Sequence, residues 1–149
     1  MGSLVYAKEC RRRGERIAAM LSMESVGYYS ATQRYPLPLR GLFPSRGDFV
    51  AFVGNVGSGT LLREAVGTFR RTGALPSEGA ALPNAVPGVG WSDHWSFWQQ
   101  GYSGIEVTDT APYRNPYYHT PQDTPDKLDY ERLARLTGAM YEVLAELGR

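Results

Sequence analysis

The stretch DFVAFVGNVGSG, residues 48–59, limits what this 149-residue chain can fold into more than any other. Phe49, Val50, Phe52 and Val53 form a short apolar run bounded by Asp48 and Gly54, the pattern of a buried strand. A glycine-rich turn follows. Then Leu61, Leu62, Ala65, Val66 and Phe69 fall on one face of a helix that Gly73 ends. A buried strand that passes at once into an amphipathic helix is a unit of layered α/β architecture.

The remaining periodicities extend that reading. Helices are expected over 3–13, stopped by Gly14, and over 59–72 and 129–147. The last carries Leu133, Leu136, Met140, Leu144 and Leu147 at helical spacing. Strands are expected over 16–23, 49–54 and 103–108. A short helix, DHWSFWQQG, has Asp93 as its expected cap and Gly101 as its stop. Residues 30–47 and 74–92 read as loops, rich in proline or glycine. Three strands make a thin sheet for two layers of helices.

Charge narrows the partners. Sixteen basic residues stand against 15 acidic ones, a net charge of +1, which offers no polyanion-binding surface and argues against a nucleic-acid partner. Arg11–Arg13 is too short a run to change that, and reads as a solvated helix end. Cys10 is the single cysteine, so no internal disulfide and no zinc-finger spacing exist, and the compartment is not readable from it. No apolar run approaches the roughly 20 residues that span a bilayer. The opening MGSLVYAKECRRR lacks a signal peptide's order of charge before apolar stretch, and Tyr6 stands where a myristoylation motif needs Ser or Thr.

Three stretches hold residues that can carry chemistry. GNVGSG at 54–59 sits where phosphates often bind, at a helix N-terminus. Its glycines at 54, 57 and 59 give GxxGxG rather than GxGxxG, and no GK[ST] follows, so a tight strand-to-helix turn is the better account. WSDHW places Ser92, Asp93 and His94 side by side, but adjacent side chains diverge and cannot form a relay among themselves. His119, in NPYYHTPQDT, is different. A ligating imidazole commonly donates its second N–H to a carboxylate, and Asp123 and Asp109 are both near in sequence. Local spacing alone does not separate a ligand here from an ordinary hydrogen-bonding histidine.

The segments MLSMESVGYYS, DFVAFVGN, SDHWSFWQQGYSGIEVTDT and YRNPYYHTPQDTPDKLDYERLA occur in this order across nearly the whole chain. In them the chain resembles the bacterial zinc exopeptidases of metallopeptidase clan MH, the aminopeptidase-like group to which glutaminyl cyclases are related. The resemblance implies a mixed-sheet, three-layer α/β/α fold, two zinc ions sharing a water, and hydrolysis of a peptide or aminoacyl substrate at a terminal bond. It implies that His119, the histidine of HTxxDT, is the last metal ligand. Glu24, in MESVGYY, would be the fourth, with Ser25 beside it where the family usually carries an apolar residue. Asp93 and His94, in the SDH stretch, with Asp123 and Tyr118, are implied to brace or wall the site.

The same resemblance implies that much of the site lies elsewhere. The family's first three ligands and its general-base Glu precede the motif at Glu24, where this chain has only 23 residues and no histidine. Residues 1–149 are therefore expected to be the C-terminal portion of a catalytic domain, with the N-terminal strands missing and no turnover of its own. The alternatives are a non-catalytic α/β binding module and a glutaminyl cyclase-like acyltransferase.

Overall fold

The computed structural model describes residues 2–35, 39–41 and 43–149. Helix α1 covers Gly2–Arg12 and leads to strand β1, Leu21–Glu24. Strand β2, Val50–Asn55, runs through a single 3-10 turn into helix α2, Gly59–Thr72. Strand β3, Ser77–Leu82, is followed by helix α3, His94–Trp98, and strand β4, Ile105–Thr108. The short helix α4, Ala111–Arg114, and the long helix α5, Tyr130–Leu147, complete the order.

Local chemistry explains the best-formed elements. The Asn55 side chain accepts hydrogen bonds from the Ser58 amide at 2.9 Å and the Ser58 hydroxyl at 2.8 Å, closing the turn into α2. Gly73 ends α2 with φ of 64°, a left-handed conformation in which a side chain is strained. Asp129 caps α5 by accepting from the Arg132 amide at 2.9 Å. The α1 end is solvated as expected, with Arg12 and Arg13 both bonded to Glu9.

The sheet order is β1-β4-β2-β3, with β1 parallel to β4, β2 parallel to β3, and β4 antiparallel to β2. Successive side chains along a strand point to opposite faces. Val50 and Phe52 of β2, with Ile105 and Val107 of β4, meet α2 and α5 in one apolar core. Phe52 meets Phe69 edge-on there, with ring centroids 5.1 Å apart. The alternate residues Ala51, Val53, Glu106 and Thr108 face the other way and line a cavity. Helix α1 packs on α3 through Tyr6 and Phe97 and a Ser3–Ser96 hydroxyl pair at 3.0 Å.

Three expectations need correction. Residues 74–92 are not all loop: Ser77–Leu82 is a fourth strand, pairing with β2 from Val50↔Ser77 to Asn55↔Leu82. SEGAAL lacks the branched and aromatic residues that announce a strand. It holds its place because Gly79 lets α2 come close; a Cβ there would meet Val66 at 3.0 Å and Leu62 at 3.2 Å. Strand β1 begins at Leu21 rather than residue 16, and β4 at Ile105 rather than 103. Asp93 occupies the N-cap position of α3 with helical φ and ψ and makes no capping bond. Among the described residues no helix is long and apolar enough to cross a membrane.

Leu136 joins α5 to the core with no exposed surface, whereas Tyr141 on the same helix is 71% exposed. Leu136→Ala is expected to cost about 2–4 kcal/mol in urea unfolding, and Tyr141→Ala less than about 0.5 kcal/mol. Equal losses at the two positions would place α5 differently.

Candidate active site

The parallel pairing of β1 and β4 sets Glu24 level with Thr108 at the ends of both strands. Backbone contacts hold that arrangement beyond the last rung. The Asp109 amide donates to the Ser25 carbonyl at 2.6 Å, and the Asp109 carboxylate accepts from the Tyr28 amide at 2.8 Å. Around this corner lies a cavity of about 320 Å³. Its floor is the polar-facing side of the sheet, its rim includes Glu24, Ser25, Tyr118 and His119, and Val89, Trp91 and Tyr113 contribute to its walls.

Glu24 and His119, distant in sequence, thus border one cavity. The Glu24 carboxylate accepts from the Ser25 and Ser92 hydroxyls at 3.4 Å each, and Ser92 is tied to Ser22 at 2.6 Å. The His119 ring stacks on Tyr118 with centroids 3.9 Å apart, and its backbone is left-handed with φ of 59°. Tyr118 lines the cavity as well.

The other expected residues stand back from it. His94 is fully buried, edge-on to Trp98, and its Nε2–H donates to the Val89 carbonyl at 2.7 Å. Burial lowers its pKa, which favours the neutral ring, and Nδ1 is left without a partner. Its part is to support the wall residue Val89. Asp123 accepts from Asn115 Nδ2 at 3.2 Å and braces the 115–123 loop rather than lining the cavity. Asp93 is exposed beside α3.

Two residues that the sequence reading passed over shape the site. Arg114 is buried, donating from Nε to Gln33 at 2.8 Å and from Nη1 to the Phe49 carbonyl at 2.8 Å. Glu106 is 7% exposed on the cavity floor, one strand away from Ser22. Burial, reinforced by the Glu24 charge, pushes its pKa up to about 8. Its sequence signal is slight, because an acid between Ile105 and Val107 looks like the solvent face of an alternating strand. The 83–92 segment and the loop after α4 cover that face, which no local pattern announces.

A carboxylate and an imidazole are suitable donors for zinc. Two donors do not complete a site, and among the described residues no group of three His, Cys, Asp or Glu is placed to hold one ion.

The family model of peptidase family M28 matches residues 1–144. The chain belongs to peptidase family M28. Escherichia coli YfbL, a protein described as uncharacterised, is 35% identical over 148 residues, which cover 97% of this chain and 45% of that protein. The Legionella pneumophila aminopeptidase LapA shares the fold with a TM-score of 0.64 at 17% identity, covering 98% of this chain and 35% of that one. An aminopeptidase from Aneurinibacillus sp. strain AM-1 does so with a TM-score of 0.59 at 24% identity, covering 96% of this chain and 29% of that one. The M28 chain described here therefore spans less than half the length of these relatives.

The raised pKa of Glu106 has a definite sign in stability. The folded state holds its proton more tightly than the unfolded chain. Its contribution is therefore complete below about pH 4.5 and is lost as pH rises to about 8. Asp109, which burial pushes up to about 7, adds a similar decline that ends earlier. Urea denaturation across pH is expected to show the fall continuing from about pH 7 to 8 in the wild type but not in Glu106→Gln. The variant should be more stable at pH 9 by up to roughly 4 kcal/mol. Unchanged pH dependence in the variant would mean that Glu106 is solvated.

Proposed function

We propose that this chain is part of a zinc-dependent exopeptidase of aminopeptidase type, and that residues outside the chain complete its catalytic unit. The observation that supports this reading is that Glu24 and His119, distant in sequence, both line one cavity. In this reading they are two of the metal's ligands, supplying carboxylate and imidazole from the end of β1 and from the loop after α4. A bound zinc would polarise the scissile carbonyl and acidify the attacking water. This chain's own residues do the rest of the work assigned to them. Ser92 and Ser25 orient the Glu24 carboxylate, Tyr118 fixes the plane of the His119 ring, and the apolar walls take the terminal side chain of the substrate. In this reading the general base also lies outside this chain, so the chain alone is expected to be inactive.

The test is to join this chain to the part of the E. coli relative that it does not match, and to assay aminoacyl-p-nitroanilides with added zinc. Losing a residue that only supports a ligand commonly costs 10–100-fold. His119→Ala and Glu24→Gln are therefore each expected to lower kcat/KM by more than about a hundredfold. The unextended chain is expected to give no turnover above its His119→Ala control. A folded, metal-loaded hybrid without activity would sink the peptidase reading. Zinc-dependent cleavage by the unextended chain, abolished by His119→Ala, would overturn its incompleteness.

A further inference from the structure

We propose that Glu106 makes the cavity floor a subsite for a cationic side chain on an aliphatic stem, the lysine or arginine at the end of a peptide substrate. Naming the ligand as a peptide's terminal residue rests on the peptidase reading above; the chemistry of the pocket does not.

Position is the first argument. Glu106 lies two residues along β4 from Thr108, the partner of Glu24, so at about 3.3 Å per residue it sits roughly 7 Å along the cavity floor from the Glu24 end. The surfaces around that stretch are mainly apolar: Val53 and Ala80 lie level with Glu106 on the neighbouring strands, and Val89 and Tyr113 also line the cavity. That spacing suits a methylene stem that enters from the Glu24 end and carries its charge at the far end.

The carboxylate itself is the second argument. The Glu106 residue is more than nine-tenths buried and lines the cavity, and among the described residues no side chain forms an ion pair with it. No Lys or Arg among the described residues lines the cavity. Glu78, the other wall acid, differs: its side chain is 38% exposed and it lies 3.9 Å from Arg70. A buried acid without a partner is costly, and a ligand that brings the opposite charge relieves that cost. An uncharged stem of the same length would not. A metal ion is the less suitable cation, because Glu106, Glu24 and His119 do not form a three-donor cluster.

The experiment is calorimetric titration of the full 149-residue chain at pH 9, where Glu106 is ionised, with L-lysine amide and L-norleucine amide, which share a stem and differ in the terminal ammonium. The wild type is expected to bind lysine amide at least about tenfold more tightly, a difference of about 1.4 kcal/mol. Glu106→Gln is expected to bring the two to near parity, with norleucine amide bound no more weakly than before. Glu78→Gln is expected to retain the preference. Glu106→Gln keeps the size of the side chain, and the comparison of two ligands on the wild type stands without any variant. Equal affinity for both amides, binding of neither, or a lysine preference that survives Glu106→Gln would overturn the proposal. An inactive hybrid whose lysine preference persists would sink the peptidase reading and leave the subsite standing. A hybrid that cleaves norleucyl and lysyl substrates equally well would sink the subsite and leave the peptidase reading standing.

Discussion

The buried guanidinium of Arg114 holds together the segments that frame the cavity. It donates to the Gln33 side chain and to the Phe49 carbonyl, and it lies over the Phe49 ring at 4.7 Å. Gln33 in turn donates to the Thr110 hydroxyl at 2.7 Å. The 30s segment, the start of β2 and the chain leaving β4 are therefore joined through one side chain. Gly47 leaves the room it needs, since a Cβ there would lie 2.9–3.0 Å from Arg114. Charged donors give the stronger protein hydrogen bonds, about 1.5–3 kcal/mol each, which offsets the desolvation of a group only 5% exposed. The loop that carries Tyr118 and His119 begins directly after this residue, so its direction is set by the Arg114 contacts before any ligand is considered.

Strand β4 shows how little sequence separates stability from chemistry here. Ile105 and Val107 are fully buried against α2 and α5, while Glu106 and Thr108 face the cavity. A shift of one residue in its pairing would exchange the two sets and place an acid in the core. The close-packed face thereby holds the chemical face in register. Strand β3 contributes in the same way, with Gly79 yielding to α2 and Ala80 lining the cavity.

The elements legible in sequence are those whose pattern is set by their own neighbours. Helices α2 and α5 and strand β2 carry a strong apolar period, and Gly73 marks the end of α2. Strand β3 was illegible because SEGAAL owes its conformation to pairing with β2 rather than to propensity. The site divides similarly. His119 was undecided on spacing alone, and only the resemblance across the whole chain set it beside Glu24. His94 looked chemical through its neighbours Ser92 and Asp93, yet the ring turns inward to Val89. Glu106 and Arg114 carry no local signal, because their burial is created by segments far away in the sequence.

Backbone strain supplies an argument about the cavity that does not depend on any resemblance. Three non-glycine residues among those described have positive φ: Ser25 at 52°, Thr110 at 63° and His119 at 59°. Each is expected to cost about 1–2 kcal/mol relative to a right-handed conformation. All three line the same cavity. Such conformations persist where the surroundings over-determine them, as the bond from Asp109 to the Ser25 carbonyl and the bond from Gln33 to the Thr110 hydroxyl do here. A fold with no use for this corner would lose nothing by relaxing it. The strain at Ser25 and His119 instead falls in the turns that bring Glu24 and His119 to the border of one cavity.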